Sequence, residues 1–185
     1  MNKPRLNIIH DSRMIERYDP LIKELKRQHI DDFEIWPCLI LPSVVSSINE
    51  SHKMIVRHAK ESGIDEVAIA EDDVIFPAND GWEYYLRNKP KEYDIYVACT
   101  YCIPISNNIM TGFHLYMVNA KFYEAFLSLP NNVHIDTAMN DLNGNWKFCY
   151  PFAALQRPGW SSNNNAVCNY NSILSNNDVY GKFRD

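Results

Sequence analysis

The sequence predicts an α/β fold built on a mostly parallel sheet. Near the N-terminus, a strand signal at residues 6–10, an amphipathic helix and a second strand signal at residues 33–36 follow one another. A crossover of this length joins neighbouring parallel strands. A further strand, at residues 67–70, is wholly apolar, as are strands buried on both faces of a parallel sheet. Three consecutive acids follow it and mark the point where this strand leaves the core.

The helices are placed by the signals at their ends. Asp19 and Pro20 are typical of the N-cap and first residue of a helix that ends near residue 29. Ser47 and Glu50 form an S-x-x-E capping box for a second helix, and Gly63 is typical of its C-terminal end. A third helix is predicted to begin near residue 79 or 80. The first two carry apolar residues at helical spacing, so each is expected to pack one face on the sheet.

The second half of the chain continues the alternation of strands and helices. Strands are predicted at residues 93–99, 114–118 and 146–150, and helices at residues 121–129 and 134–142. From Pro151 onward the chain is rich in proline, asparagine and serine, which predicts a segment with little regular structure. We expect one domain over residues 1–185, with this segment as part of its functional site or as a tail.

Composition excludes several classes of protein. With 46% hydrophobic and 22% charged residues, the chain has the composition of a soluble globular domain. Its net charge of -5 and the lack of a basic stripe argue against binding to nucleic acid. The apolar stretch at residues 6–9 is too short for a signal peptide or a membrane span, so we expect a cytoplasmic protein without a transmembrane segment.

The five cysteines are scattered and odd in number, unlike a disulfide framework. Cys99 and Cys102 form a CxxC pattern, but a zinc site needs a second pair of ligands at suitable spacing. A redox site would place the pair at the start of a helix, whereas here the pair follows a predicted strand. We therefore expect buried thiols.

The three acids Glu71, Asp72 and Asp73 are the first candidate site. In open α/β sheets, ligands bind at the carboxyl ends of the strands. Two carboxylates at about 4 Å repel by roughly 1 kcal/mol in water and roughly 4 kcal/mol at an effective dielectric of 20. A divalent cation removes this penalty, and oxygen ligands suit Mg²⁺ or Mn²⁺. If the backbone stays extended, Glu71 and Asp73 project to one side and Asp72 to the other.

The alternative is that the acids form a solvated turn or cap a following helix, because acidic residues favour the first turn of a helix. The next residues, 74–77, are β-branched and aromatic and end in proline, which disfavours a helix there.

Four stretches in order resemble the bacterial lipopolysaccharide galactosyltransferase family, to which the collagen galactosyltransferases also belong. The first is IIHDSRMIERYD, with Arg13, and the second is SINESHKMIVRHAKESG, with Ser51 and His52. The third is AEDDVIF. The fourth is TGFHLYMVNAKFYEAFLSLP, which is followed by an aspartate, a proline, a glutamine and a serine, namely Asp136, Pro151, Gln156 and Ser161.

The resemblance implies a GT-A fold, a Rossmann-like three-layer α/β/α arrangement with a mostly parallel mixed sheet. It also implies a nucleotide-sugar donor, such as a UDP-sugar, and a divalent cation, usually Mn²⁺, with Mg²⁺ as the other candidate. By position, Asp73 resembles the direct metal ligand, and Glu71 and Asp72 would contact the metal, the ribose or bound water. Arg13 would lie near the nucleotide. The cation would neutralise the charge that develops on the departing diphosphate.

An inverting transfer also needs a base for the acceptor hydroxyl, and a carboxylate is the usual choice. Asp136 is the first candidate for this base and Asp141 the second, although Asp136 could equally cap a helix. The remaining residues expected at the site are Gln156, Trp160 and Ser161 as a wall for donor or acceptor, with His114 and His134 as further metal ligands or as structural histidines.

These expectations combine into a metal-dependent hexosyltransferase that transfers to a glycan or a lipid-linked saccharide in lipopolysaccharide or surface polysaccharide synthesis. Contact with a membrane surface is compatible with such an acceptor. Two alternatives stay open: a non-catalytic nucleotide- or sugar-binding module on a degenerate GT-A scaffold, and a nucleotidyltransferase. The second would need a glycine-rich basic loop after the first strand, and HDSRMIERYD contains no glycine. The chain is also short for the family, which puts its acceptor region in doubt.

Overall fold

The computed structural model describes residues 3–102, 105 and 109–182 of the chain. The strands in this part are β1 Leu6–His10, β2 Phe33–Pro37, β3 Glu66–Glu71, β4 Val74–Ile75, β5 Ile95–Val97, β6 Leu115–Asn119, β7 Trp146–Phe148, β8 Leu155–Gln156, β9 Gly159–Ser161 and β10 Ala166–Cys168. The α-helices are α1 Ile15–Arg27, α2 Val44–Glu61, α3 Gly81–Arg87, α4 Tyr123–Leu127 and α5 Ile135–Met139. A 3-10 turn, Ala120–Phe122, precedes α4, and another, Tyr170–Ile173, follows β10.

Six of these strands form one mixed sheet, in the order β2-β1-β3-β6-β5-β7. The pairs β1–β2, β1–β3 and β5–β7 are parallel, whereas β6 is antiparallel to both of its neighbours. The two other ladders, β4–β8 and β9–β10, are short and antiparallel. The predicted α/β class with a mostly parallel mixed sheet is confirmed.

Helices cover both faces of the sheet, and β3 shows how its side chains divide between them. Ala68 and Ala70 belong to a core cluster that includes residues of α1 and α3. Val67 and Ile69 belong to a second cluster that includes residues of α2, α4 and α5. Successive strand residues point to opposite faces, so a strand buried between two helical layers must be apolar at every position. The result is the predicted three-layer arrangement.

Helix α1 begins five residues earlier than the proline signal predicts. It starts at Ile15, and Pro20 lies inside it. The chain already turns before the helix, since the amide of Met14 donates to the carbonyl of Asp11 at 2.8 Å. Pro20 forfeits the hydrogen bond to the carbonyl four residues before it, and the burial of apolar residues along the next turn offsets that loss. The earlier start puts Arg17 in the first turn of α1.

Helix α2 also begins earlier than predicted, so the capping box is wrong. Ser43 is the N-cap, and its side chain accepts from the amide of Ser46. Ser47 lies inside the helix, where its hydroxyl donates to the carbonyl of Ser43 at 2.9 Å and accepts from the amide of Leu41 at 2.9 Å. Three serines within five residues offer several caps, and the S-x-x-E pattern does not choose between them. The end is confirmed, because Gly63 has a φ of +66°.

The backbone does not stay extended through the three acids. β3 ends at Glu71, Asp72 and Asp73 form a turn, and β4 then pairs with β8. The three carboxylates therefore point in different directions rather than alternating along one strand. The segment from Pro151, predicted to be irregular, contains three short strands and a 3-10 turn, and it supplies the partner of β4.

A buried amide on α2 fixes the segment that leads into α5. Asn49 is fully buried. Its side-chain amide donates to the carbonyls of Pro130 at 3.1 Å and Val133 at 2.7 Å, and its carbonyl oxygen accepts from the amide of Ile135 at 3.0 Å. This one side chain therefore sets the position of the start of α5.

Two sequence expectations concern features away from the sheet. No helix in the described ranges is long and apolar enough to cross a membrane. All five cysteines are free thiols, but only Cys99 and Cys149 are buried, so the expectation that most of the thiols are buried is wrong.

We expect Pro20→Ala to stabilise the protein. Because Pro20 lies inside α1, alanine restores an i to i−4 hydrogen bond and removes a steric clash, which should raise the free energy of unfolding by about 1 kcal/mol. Urea unfolding measures this change, with the exposed Pro37→Ala as a control that should stay within about 0.5 kcal/mol. A neutral or destabilising result would place Pro20 at the first position of a shorter helix.

We expect Asn49→Ala to destabilise the protein by about 3 kcal/mol. The substitution leaves two carbonyls and one amide without partners in a buried site. Thermal and urea unfolding measure the loss, and Asn177→Ala, on the exposed surface, is the matched control. A loss below about 1 kcal/mol would show that other contacts hold the start of α5.

Candidate functional site

A cavity of about 470 Å³ opens at the carboxyl ends of β1 and β3. Its walls come from the turn after β1, the first turn of α1, the N-terminal half of α2, the acidic turn after β3, residues 111–113, the start of α5, and the segment around β8 and β9. The volume lies in the range of small-molecule sites, and the sheet edge is the one where α/β proteins bind ligands.

Most of the residues singled out from the sequence line this one cavity. They are Arg13, Glu71, Asp72, Asp73, His134, Asp136, Gln156 and Ser161. Three candidates are not among its lining residues: Asp141 is exposed in the turn after α5, His114 is fully buried, and Trp160 lies beside the lining residue Ser161. Trp160 contributes its backbone carbonyl to an arginine of the cavity, while its residue surface is 43% exposed.

Glu71 points toward α2. Its Oε1 lies 3.2 Å from Nε2 of His52, and the Nδ1 of the same ring lies 2.7 Å from the hydroxyl of Tyr116. Burial opposes ionisation of Glu71, but the hydrogen bond from His52 and the charge of Arg17 hold its pKa below the usual value. The Ser-His pair of α2 thus has a structural explanation: His52 orients Glu71, and the hydroxyl of Ser51 accepts from the amide of Leu39 at 2.8 Å.

Asp72 is buried and joins three elements. Its Oδ2 lies 2.8 Å from Nδ1 of His10, at the end of β1, and 3.3 Å from the amide of Asp11. Its Oδ1 accepts from Nη1 of Arg17, on α1, at 2.8 Å. Both oxygens of Asp72 are therefore occupied by donors from the protein, which fixes β1, α1 and the acidic turn relative to one another.

Asp73 is buried but incompletely satisfied. Its Oδ2 accepts from Nε2 of Gln156 at 2.9 Å and from Nη1 of Arg17 at 3.3 Å. Its Oδ1 is inaccessible and receives no hydrogen bond from the residues that the structure describes. Burial and the neighbouring charge of Glu71 raise the pKa of Asp73 to about 7, and Arg17 and Gln156 offset this only in part.

The unpartnered oxygen of Asp73 fits a divalent cation. Within residues 3–102, 105 and 109–182, no three His, Cys, Asp or Glu side chains converge so that they could hold a metal ion. The residues therefore do not form a complete protein cage. They fit the arrangement usual for Mg²⁺ at phosphate sites, in which one or two carboxylates share the cation with substrate oxygens and water.

Arg17 is the cavity residue that the sequence reasoning missed. Arg13, the arginine predicted to lie near the nucleotide, has a side chain that is 59% exposed and donates to both oxygens of Asp11. Arg17 lies four residues further on, in the first turn of α1, and contacts Asp72, Asp73 and the carbonyl of Trp160. No sequence signal singled it out, because the proline signal placed the start of α1 after Arg17.

Asp136 lines the same cavity as the acidic turn. It is in the first turn of α5, whose N-cap is His134. Its Oδ2 accepts from the amide of Gly112 at 2.7 Å and its Oδ1 from the amide of Thr137 at 2.8 Å. These bonds fix the orientation of the carboxylate and tie α5 to the loop before β6.

Strand β8 connects the acidic turn to two other parts of the chain. The amide of Arg157 donates to the carbonyl of Asp73 at 2.7 Å, and the amide of Gln156 donates to the hydroxyl of Tyr101 at 2.9 Å. Asn171 completes the link, since its side-chain amide donates to the carbonyl of Gln156 at 2.9 Å. Gln156 is thereby held where its own amide reaches Asp73.

Comparisons with known proteins bear on the fold. No family model matches the chain, and no curated protein matches it. Among solved structures, the chain is similar to a glycosyltransferase involved in the glycosylation of the major capsid of PBCV-1. That alignment has a TM-score of 0.52 and 10% identity, and it covers 80% of this chain and 81% of the other.

Two further solved structures show weaker similarity. One is a mutant of Drosophila β1,4-galactosyltransferase 7 in complex with manganese, UDP-Gal and xylobiose, with a TM-score of 0.49, 12% identity, and coverage of 80% of this chain and 65% of that one. The other is a glucose-1-phosphate thymidylyltransferase from Bacillus anthracis, with a TM-score of 0.42, 9% identity, and coverage of 77% and 65%. The chain thus spans just under two thirds of each of these proteins. The sheet order and the viral neighbour show a GT-A-like α/β fold.

Proposed function

We propose that this protein is a metal-dependent glycosyltransferase that moves a hexose from a nucleotide-sugar donor, a UDP-sugar, to a glycan acceptor. The observation that carries the proposal is the buried Oδ1 of Asp73, unpartnered in the described part of the chain, in a ligand-sized cavity at the carboxyl end of β3. The GT-A-like fold, shared with a viral glycosyltransferase, supports it.

In this proposal Asp73 and Glu71 would hold Mn²⁺ or Mg²⁺, with the remaining ligands supplied by the donor diphosphate and water. The bound cation would neutralise the negative charge that develops on the leaving diphosphate. Gln156 orients Asp73 through its hydrogen bond to Oδ2. Asp72, held by His10 and Arg17, keeps the acidic turn in register with β1 and faces the ribose or a bound water.

The remaining walls of the cavity suit the nucleotide and the sugar. Arg13, at the end of β1, is proposed to lie beside the nucleotide. Ser161 and the asparagines that follow it present hydroxyl and amide groups that match sugar hydroxyls. Trp160 is exposed enough to stack on a sugar face.

Asp136 is the proposed general base. It would accept the proton of the acceptor hydroxyl as that oxygen bonds to the anomeric carbon and the bond from this carbon to the diphosphate breaks. Such a single displacement inverts the configuration. The hydrogen bonds from Gly112 and Thr137 hold the carboxylate in one orientation, as a base must be held. Asp141 stays the second candidate, although it lies outside the cavity wall.

The mouth of the cavity supports a glycan acceptor with an apolar carrier. Leu41 and Val44 line the cavity and are also exposed, and Ile40 beside them is exposed. Exposed apolar side chains at a site rim are typical of contact with an apolar ligand or a membrane surface. We therefore include a lipid-linked saccharide of lipopolysaccharide or surface polysaccharide synthesis, used at the cytoplasmic membrane surface, in the proposal.

A second candidate function is a non-catalytic nucleotide- or sugar-binding module. The observation that favours it is Arg17, which occupies Asp72 and Asp73 with a cation supplied by the protein itself. Such a module would bind UDP yet show neither transfer nor hydrolysis of a UDP-sugar.

The first test is ligand-induced stabilisation. UDP at about 100 times its Kd, with Mn²⁺ present, should add about 2.7 kcal/mol of stability, which is a rise in melting temperature of about 5–10 °C. Asp73→Asn should abolish the rise that depends on Mn²⁺, because an amide is a poor ligand for the cation.

The same variant supplies its own folding control. Burial disfavours the charged form of Asp73 and raises its pKa to about 7, so the folded state carries a penalty above pH 7 that is absent below about pH 4. Without ligands, Asp73→Asn should therefore melt no lower than the parent at pH 8. Equal stabilisation of parent and variant by UDP with Mn²⁺ would contradict the proposed role of Asp73.

The second test separates binding from chemistry at Asp136. Asp136→Asn keeps the size and shape of the side chain but removes the base and one of its two hydrogen-bond acceptors, so transfer should fall by about 10²–10⁴-fold while stabilisation by UDP and Mn²⁺ stays within error. Transfer is measured as UDP release with a panel of glycan and lipid-linked acceptors. Asp141→Asn is the comparison variant, and a larger loss there than in Asp136→Asn would reassign the base.

A further inference from the structure

The acidic turn of the candidate site already contains a cation. The guanidinium of Arg17 has a side-chain exposure of 20% and bridges Asp72 and Asp73 through one nitrogen, at 2.8 Å and 3.3 Å. Its second terminal nitrogen donates to the carbonyl of Trp160. The charge of Glu71 also acts on it. A protein cation thus lies on the carboxylate that is proposed to bind the metal.

The two contacts of this bridge are unequal. The hydrogen bond to Asp72 is the shorter one, and Asp72 is also held by His10 and by the amide of Asp11. The hydrogen bond to Asp73 is the longer one, and the other oxygen of Asp73 is unpartnered in the described part of the chain. A guanidinium that moves away from Asp73 can keep its bond to Asp72, so the bond to Asp73 is the one that can be exchanged.

The same side chain also contacts the hairpin that contributes residues to the cavity wall. Trp160 lies in β9, which pairs with β10 in a hairpin, and residues 161–164 of this hairpin line the cavity. The hydrogen bond from Arg17 joins the hairpin to α1. A displaced guanidinium therefore stays between the acidic turn and the hairpin, which is where the diphosphate of a donor would lie.

We infer that Arg17 competes with the divalent cation for Asp73 and, when the cation binds, becomes a ligand of the donor diphosphate. This inference rests on the proposed function, because it concerns the same metal and donor. A planar guanidinium suits both tasks, since its fork of donors binds carboxylate and phosphate oxygens alike. Arg17 would then disfavour metal binding in the absence of donor and favour it when donor is present.

The test measures Mn²⁺ binding alone, without any activity. Isothermal titration or the electron paramagnetic resonance signal of free Mn²⁺ gives the Kd for the parent, Arg17→Gln and Arg17→Lys. Removing the resident charge should tighten Mn²⁺ binding by about tenfold in Arg17→Gln, because one positive charge no longer opposes the ion. Arg17→Lys keeps the charge and should stay within about threefold of the parent. Arg57→Gln, a substitution of an exposed arginine on α2, should leave the Kd unchanged.

The second measurement is UDP binding at saturating Mn²⁺. Arg17→Gln should bind UDP about tenfold more weakly than the parent, although it binds Mn²⁺ more tightly. The inference therefore predicts opposite changes in Arg17→Gln: a lower Kd for Mn²⁺ and a higher Kd for UDP. Circular dichroism and the melting temperature establish that each variant is folded, and Arg17→Lys serves as the folded comparison if Arg17→Gln unfolds.

The outcomes separate the inference from the proposed function. Equal Mn²⁺ affinity in the parent and Arg17→Gln overturns the inference and leaves the metal-dependent function in place. Binding of Mn²⁺ without donor by Arg17→Gln but not by the parent supports the inference, and the metal-dependent function then requires that UDP restores Mn²⁺ binding by the parent. If UDP does not restore it, metal dependence of the natural chain is overturned. No Mn²⁺ binding by the parent, Arg17→Gln or Arg17→Lys, with UDP present or absent, overturns both.

Discussion

The enclosure of three consecutive carboxylates at the end of one strand, with Asp72 and Asp73 buried and Glu71 partly buried, is the constraint on which the candidate site depends. Each carboxylate needs compensation inside the protein, and the compensating groups come from several elements. Glu71 is compensated by a histidine of α2, and Asp72 by a histidine of β1 and an arginine of α1. Asp73 is compensated less completely, because one of its two oxygens has no hydrogen-bond partner among the described residues. Asp72 is therefore the most completely satisfied of the three, and Asp73, which retains a buried oxygen without a partner in the described part of the chain, lines the ligand cavity.

The supports of this turn explain polar residues that are otherwise unusual on a helix that packs on a sheet. Asn49, Ser51 and His52 lie consecutively or nearly so on α2, and all three are buried. One fixes the start of α5, one holds the chain after β2, and one orients Glu71. A helix that serves only the core would carry apolar residues there. The polar face of α2 is therefore better explained by the two walls of the cavity that it connects.

The sequence predicted the layers of the fold well, because a strand that is buried on both faces must be apolar at every position, and such a run is visible in the sequence. The apolar run before Glu71 and the Leu6–His10 strand lie where expected. Helix starts were predicted less well, since serine and proline signals are local and several candidates compete within one turn. Because α1 was predicted to begin at Pro20, Arg17 was not recognised as a helical residue of the site. The turn at Asp72 and Asp73 was only the alternative interpretation, because it depends on pairing of β4 with a strand about eighty residues later.

The pairing of β4 with β8 has a consequence for the order in which the molecule is completed. The amide of Gln156 reaches Asp73 across 83 positions of the chain, and the backbone of the next residue caps the same turn. During synthesis from the N-terminus, α1, α2 and most of the sheet leave the ribosome before β8 exists. A nascent chain can thus acquire its hydrophobic layers while the acidic pocket is still open on one side. The pocket closes only after the segment that contains β8 docks, so ligand binding reports that this segment has been made and has folded against the sheet.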